Sequence, residues 1–271
     1  MKKVILITGA SSGMGKETAK QLIKEGHIVY TVARRIEQMQ DLERLGGFPM
    51  QMDVTNEADI EQVVDTIIRN EGKIDVLWNN AGYGLYGAVE DVPLAEAVKQ
   101  FNVNLFGLAA VTQKVVPYMR KAGSGTIINT SSMGGKMYFP LGAWYHASKH
   151  ALEGFSDCLR LELKPFNINV VVIEPGLIAT EFGSTLIDGL EKISKQSAYS
   201  DTMKKIAEGT RKSYETNSSS KPSVVSNAVS KIVSSPKPKT RYRIGKMAKP
   251  LVWMRIYLGD RLFDKVVTSQ L

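Results

Sequence analysis

Val4-Ile5-Leu6-Ile7-Thr8-Gly9-Ala10-Ser11-Ser12-Gly13-Met14-Gly15 is the stretch whose reading decides the fold. Val4 to Ile7 is an unbroken apolar run, the pattern of a strand buried on both faces in a parallel sheet. Glycines follow at 9, 13 and 15, and then a helix-like stretch from Lys16 to Glu25. Such a turn removes side chains where a backbone must approach a diphosphate, and it aims the free N–H groups and positive end of a helix at the same point. The spacing is G-x-x-x-G-x-G, distinct from the G-x-G-x-x-G fingerprint. Taken alone it is a weak signal, since a tight turn that binds nothing looks the same.

Working outward, the same alternation repeats. His27 to Val32, Gly47 to Met52, Ile74 to Trp78, Gly125 to Asn129 and Ile168 to Ile173 read as further strands. Helix-like segments fall between them near 36–45, 57–71, 94–121 and 146–164. Alternating strands and helices joined by short loops predict an α/β fold with a doubly wound parallel sheet, because right-handed crossovers place helices on both faces. After Pro175-Gly176 the rhythm breaks. Leu177 to Lys221 reads as a polar, irregular excursion ending in Asn217-Ser218-Ser219-Ser220-Lys221-Pro222, the composition of a mobile surface segment. One more helix is expected over 224–234, an edge strand over 240–244, and an amphipathic helix over 251–267 interrupted at Gly259.

The chain's 271 residues, 43% hydrophobic and 23% charged, suit one domain with a sizeable core. Its single cysteine, Cys158, excludes an internal disulfide, and no Cys/His group has zinc spacing, so a reducing cytoplasm and a metal-free site are expected. Cys158 reads as a packing residue. Lys2-Lys3 before the first apolar run imitates a secretory leader, but the run is too short and Thr8-Gly9 breaks it; no run is long enough for a transmembrane helix. The net charge of +8 is unevenly spread: residues 1–190 hold 18 Lys+Arg against 21 Asp+Glu, and residues 191–271 hold 17 against 6. No nucleic-acid-binding motif accompanies the basic third, so nucleic acid is not an expected partner.

Tyr145 and Lys149 stand four apart in Tyr145-His146-Ala147-Ser148-Lys149 and share a face if the segment is helical. A phenol near pKa 10 is a poor base at neutral pH, and a neighbouring ammonium favours its phenolate. Such a pair can move a proton to or from an alcohol oxygen, although Tyr and Lys at this spacing are also common on ordinary helix surfaces. Ser132 lies just past the strand at 125–129, at the strand ends where open α/β sheets place ligands.

Thr8-Gly9-x-x-x-Gly13-x-Gly15, Asn79-Asn80-Ala81-Gly82, Asn104, Ser132, Tyr145-x-x-x-Lys149 and Pro175-Gly176-x-x-x-Thr180, in that order and spacing, resemble the short-chain dehydrogenase/reductase family over roughly residues 3–185. The resemblance implies a Rossmann fold and an oxidoreductase that moves hydride between a nicotinamide cofactor and an alcohol or carbonyl. It implies Tyr145 as general acid or base, Lys149 on the nicotinamide ribose and lowering the tyrosine pKa, Ser132 polarising the carbonyl, and Asn104 maintaining a water-linked proton path. It also implies cofactor contacts at Gly9, Ser11, Ser12, Gly13, Met14 and Gly15, at Asp53 and Val54 beside the adenine, at Asn80, Ala81 and Gly82, and at Pro175, Gly176 and Thr180.

Cofactor choice follows from charge. Where members that prefer NAD(H) place a carboxylate for the ribose 2'-hydroxyl, this chain has Ala33 followed by Arg34 and Arg35. A guanidinium suits a 2'-phosphate, so NADP(H) is expected with Arg34 as its ligand. The bland alternative is a solvated arginine pair. Segments around 131–135, 145–155 and 162–166 are similar to the 17β-hydroxysteroid and retinol dehydrogenase-like branch. Met133, Met137, Tyr138, Phe139, Leu141 and Trp144 just before Tyr145 are candidates to wall an apolar pocket. A hydrophobic ketone, aldehyde or alcohol is therefore the expected substrate, with 177–221 as a lid and 250–271 as a helical extension. That basic extension has two readings: contact with an anionic membrane surface, or packing on the domain or on a second copy. The resemblance further implies a homodimer or homotetramer through the helices around 104–121 and 148–164. An NAD(H)-dependent alcohol dehydrogenase of the same family, or a dinucleotide-binding sensor or scaffold with little turnover, is the alternative.

Overall fold

The computed structural model describes residues 1–194, 197–216 and 218–269; residues 195–196, 217 and 270–271, which fall within the expected lid and extension, lie outside the described residues. Seven strands form one sheet: β1 (Val4–Thr8), β2 (Ile28–Ala33), β3 (Phe48–Gln51), β4 (Val76–Asn79), β5 (Gly125–Thr130), β6 (Ile168–Pro175) and β7 (Arg241–Ile244), in the order β3-β2-β1-β4-β5-β6-β7. Every pairing is parallel. The order reverses at β1, where Ile5 pairs with Val29 on one side and Val76 on the other. A crevice opens beyond the strand ends at such a switch point.

Side chains of a strand alternate faces, so β1 feeds two cores. Val4 and Leu6 pack towards α3 (Glu57–Glu71), α5 (Leu108–Ala122) and α6 (Ala143–Leu163). Ile5 and Ile7 pack towards α1 (Gly13–Lys24), α2 (Gln40–Arg44) and α9 (Ser223–Ser234). Trp78 is fully buried on the second face. At the far edge, Arg241 of β7 donates to Glu153 at 2.9 Å and Asp157 at 2.7 Å on α6 and pairs with Glu174 at 3.2 Å. These contacts fasten the last strand to the sheet, and Arg241 holds the Asp157 carboxyl down at about 2.

Two expectations about elements are corrected. The segment 94–121 is not one helix: α4 (Leu94–Phe101) and α5 are separated by a π-helical turn, Asn102–Gly107, whose wider hydrogen-bonding ring re-aims the side chains within it. The excursion after Gly176 is not irregular. It contains α7 (Glu181–Ser194) and α8 (Ser200–Glu215), which pack on each other through Leu186, Leu190 and Met203. Their apolar residues are sparse but helically spaced, and abundant Ser, Lys and Glu on the outer faces disguised them as loop. The C-terminal expectation holds, with α10 (Ala248–Tyr257) and α11 (Asp260–Thr268) broken at Gly259, where φ is +74°. Cys158 is exposed on α6 rather than packed, because its neighbour Leu159 takes the inward position. No helix among the described residues is long and apolar enough to cross a membrane, and no acidic, Cys or His cluster there could hold a metal ion.

Candidate active site

The glycine turn is shaped by what surrounds it. Gly9 and Gly13 adopt φ of +68° and +54°, in the region that favours glycine. A Cβ on Gly9 would lie 2.7 Å from the Ala81 Cα. Asn80 braces the turn by donating from its side chain to the Gly9 carbonyl at 3.0 Å, and the Asn80 and Ala81 N–H groups both donate to the Thr8 hydroxyl at 3.0 Å. Ser12 caps α1 in extended backbone without a side-chain hydrogen bond to the helix. The first-turn N–H groups therefore face outward, a ready site for an anion.

Beyond this turn the strand ends gather the motif residues. Ser132, just past β5, accepts a hydrogen bond from the Gly134 N–H at 3.0 Å and bonds to the Tyr145 phenol. Tyr145 and Lys149 project from the first turns of α6 and are both buried. Lys149 donates to the Thr130 carbonyl at 2.8 Å, and Thr130 is itself fixed by the Trp78 indole N–H at 2.9 Å. Asn104, in the π turn, donates to the Tyr83 carbonyl at 3.0 Å and to Ser148 at 3.2 Å while accepting from the Tyr83 N–H at 3.1 Å. Gly82 makes room here, since its Cβ would come within 3.1 Å of Asn104 Oδ1 and 3.6 Å of Lys149 Nζ.

The electrostatics correct one expectation. Burial pushes the Tyr145 phenol up to about 12, and its hydrogen bond with Ser132 works against that rise. Lys149 does not depress it here, because burial costs the ammonium too: Lys149 is lowered to about 8, with the Glu153 carboxylate opposing. Burial thus keeps the phenol protonated at neutral pH and makes its phenolate costly, while an ammonium near its midpoint can take up or release a proton.

A cavity of about 360 Å³ links these groups. Met14, Asn80, Gly82, Ser132, Tyr145, Lys149, Pro175, Gly176 and Thr180 share its wall. Gly9, Ser11, Ser12, Gly13, Gly15 and Ala81 build the adjoining turn, and Asn104 stands behind Gly82. Arg34, Asp53 and Val54 are not among the wall residues. Asp53 uses one carboxylate oxygen on the Thr55 N–H at 2.9 Å and its hydroxyl at 2.8 Å, a local turn bond. Arg34 is exposed, and its carbonyl accepts from Gln51. The arginine against the glycine turn is Arg35, which reaches Ser11 at 3.4 Å and Glu181 at 3.2 Å.

Of the six apolar candidates, Met133, Met137 and Phe139 line the cavity. Tyr138 instead packs its ring on Phe263 and bonds Asp264, while Leu141 and Trp144 are absent from the wall. Sequence reasoning missed the opposite wall. Tyr86 lies with its ring 5.6 Å from that of Tyr145, and Phe182 of α7 lies 5.4 Å away. Leu186, Ile206 and Tyr214 complete that side. No motif marks these positions: Tyr86 comes from the loop between β4 and α4, and the others, within the segment expected as a lid, are brought in by the folding of α7 and α8 over the strand ends. His146, which no motif marks, supports the same site. It accepts from the Phe139 N–H at 3.0 Å through Nε2 and reaches the Gly134 carbonyl at 2.9 Å through Nδ1, so it is a neutral strut for the 133–139 loop. Burial lowers it to about 4.

Sheet, switch point and glycine turn together define a dinucleotide-binding α/β protein of Rossmann type. The family model described as short chain dehydrogenase matches residues 3–190, and the chain belongs to that family of oxidoreductases, which bind a nicotinamide dinucleotide. The chain is 39% identical over 251 residues to a 3-ketodihydrosphingosine reductase of Bacteroides thetaiotaomicron, covering 92% of this chain and 90% of that one. It superposes on a short-chain dehydrogenase from Streptomyces avermitilis with a TM-score of 0.83 at 29% identity, covering 100% of this chain and 98% of the other. A closed serine dehydrogenase complexed with NADP+ matches with a TM-score of 0.79 at 29% identity, over 91% and 96% of the two chains. The outward-facing first turn of α1 and a cavity running from Met14 to Tyr145 fit such a cofactor.

Proposed function

We propose that the protein is an NADP(H)-dependent oxidoreductase that interconverts a hydrophobic, lipid-like ketone or aldehyde and its alcohol. The observation that carries this reading is one cavity whose wall brings Tyr145, Ser132 and Lys149 together with the apolar side chains of Met133, Met137, Phe139, Phe182 and Leu186, beside polar groups such as Lys205, Thr210 and Ser213. Ser132 and Tyr145 orient the substrate oxygen, and Tyr145 gives it a proton in reduction or removes one in oxidation. Lys149, fixed on Thr130, holds the ribose and replenishes that proton, and Asn104 keeps the Tyr83 to Ser148 surroundings in register. The bound cofactor supplies hydride chemistry. Arg35, with Ser11, holds a 2'-phosphate, taking the role expected for Arg34.

The resemblance to the 17β-hydroxysteroid and retinol branch and the likeness to a 3-ketodihydrosphingosine reductase favour a long apolar substrate alike. Residues 177–221 act as a lid through α7 and α8. The protein works in the cytoplasm as a homodimer or homotetramer through α5 and α6. Titration of the purified protein with NADPH and NADH, followed by a screen of apolar ketones with the tighter cofactor, tests the reading. Tighter NADPH binding and turnover of a long-chain ketone are expected. NADH preference would remove the Arg35 argument, and binding without turnover of any carbonyl would favour a sensor.

A further inference from the structure

The last two helices carry two apolar faces, and only one is covered. Leu251, Val252, Phe263 and Val267 are buried against Met133 and Met137. On the other side of α10, Trp253, Ile256 and Tyr257, spaced i, i+3, i+4, are 55%, 50% and 69% exposed, and the Trp253 and Tyr257 rings lie 5.6 Å apart. Leu258 and Leu262 are exposed too and extend the face past Gly259. An apolar, aromatic strip of this kind marks an interaction surface.

Its charges identify the partner. Lys249 sits one turn before Trp253, and Arg261 and Lys265 flank Leu262; all three are exposed and form no ion pair among the described residues. The acids beside them are engaged, Asp260 with Arg255 at 2.8 Å and Asp264 with the Tyr138 hydroxyl at 2.9 Å. We propose that this face docks on an anionic lipid bilayer, with α10 and α11 lying in the plane of the headgroups. Tryptophan and tyrosine suit that boundary because each joins an apolar ring to a polar edge, and unpaired cations around them attract anionic headgroups. A two-fold contact with a second copy fits less well, since it would bring Lys249, Arg261 and Lys265 of both copies into one interface with no free acid beside them among the described residues. Another exposed apolar set, Val98, Phe106 and Leu161, lies on and between α4, α5 and α6, where self-association is expected.

The same element connects this face to the cavity. Val267 of α11 lines it together with Met133 and Met137, so one of the two docking helices also contributes to the pocket wall. The proposed docking would therefore set the bilayer against an element that also walls the site, which suits an apolar substrate. That last step rests on the lipid-like substrate proposed above; the docking does not.

Sedimentation of the full chain with vesicles of phosphatidylcholine, with and without phosphatidylglycerol, tests the docking. Pelleting is expected only with the anionic vesicles, and it should vanish near 1 M salt, where the screening length is about 3 Å. Each surface cation is worth about fivefold in partitioning, so Lys249→Glu, Arg261→Glu and Lys265→Glu together should reduce binding more than about a hundredfold. A blue shift of tryptophan emission with anionic vesicles should be missing in Trp253→Phe. Failure of the native chain to pellet, or pelleting that survives the triple reversal, overturns the proposal. So does a fall in oligomeric mass in the Trp253→Ser, Tyr257→Ser double variant, which would assign the face to a second copy. Circular dichroism confirms that the variants fold, and their turnover of a short, water-soluble ketone should equal that of the native chain. Vesicle binding without turnover of any ketone would sink the enzymatic reading alone.

Discussion

The first 176 residues and the remainder of the chain build opposite walls of one cavity by different means. The first part sets its groups by local geometry: Gly9 and Gly13 turn the backbone, Thr130 ends a strand, and Tyr145 and Lys149 are one helical turn apart. The second part sets its groups by docking. Phe182 and Leu186 face Tyr145 only because α7 and α8 fold back over the strand ends, and Val267 reaches the cavity only because α11 packs on Met133. A contact fixed by the backbone tolerates change around it, whereas a contact made by docking depends on a few apolar anchors. Chemistry that needs fixed distances sits in the first part, and adaptable substrate walls sit in the second.

The largest effect should come from the locally fixed side. Removing the phenol hydroxyl in Tyr145→Phe should lower turnover by about 10²- to 10⁴-fold, the usual contribution of a general acid or base, with little change in cofactor affinity by titration. Equal turnover in the variant would move the proton-transfer role elsewhere in the cavity. The matching strike on the docked side is Phe263→Ala, which empties a fully buried ring site and should cost about 3–5 kcal/mol. Urea unfolding distinguishes two outcomes. A single weakened transition means that both regions share one cooperative unit; a separate early transition means that the C-terminal helices open by themselves, which sharpens the contrast.

The same contrast explains what was legible in the sequence. All seven strands, the edge strand over 240–244 included, could be read one at a time from apolar runs or alternations bounded by turn residues, as could the glycine turn and the Tyr145 to Lys149 spacing. The kink at Asn102–Gly107 could not, because a π turn leaves no compositional trace. The α7 and α8 pair reads as loop in the sequence because its few inward residues acquire meaning only against Tyr86 and Tyr145. Adjacent arginines illustrate the limit most simply. Arg34 and Arg35 are chemically equivalent in sequence, and the direction in which the chain leaves β2 decides that Arg35 meets Ser11.

His146, which braces the 133–139 loop of the first region, gives a pH test. Its folded-state value of about 4 lies below the ordinary 6.5, so between those values the unfolded chain binds more protons and acid favours unfolding. Stability should fall by about 3 kcal/mol as pH drops from 6.5 through 4, at about 1.4 kcal/mol per pH unit. Asp41 and Asp157, held at about 2 by their cationic partners, act below that window. In His146→Gln the slope between pH 6.5 and 4 should flatten. An unchanged slope would mean that the buried imidazole is not what titrates.

The smallest effects test the Arg35 to Glu181 ion pair, which ties the glycine-turn side of the site to the start of α7. Arg35→Ala should weaken NADPH binding by about 10- to 100-fold, the loss of one or two charge-assisted hydrogen bonds, and leave NADH binding nearly unchanged. Glu181→Gln should do the reverse on a smaller scale. Glu181 begins α7 and engages the same guanidinium that a 2'-phosphate would need. Because the two side chains are 49% and 57% exposed, the pair itself contributes no more than about 1 kcal/mol, so freeing Arg35 should tighten NADPH binding by at most about fivefold. If Glu181→Gln weakens NADPH binding instead, the carboxylate is orienting Arg35 for the phosphate, and the start of the lid belongs to the locally fixed half of the site.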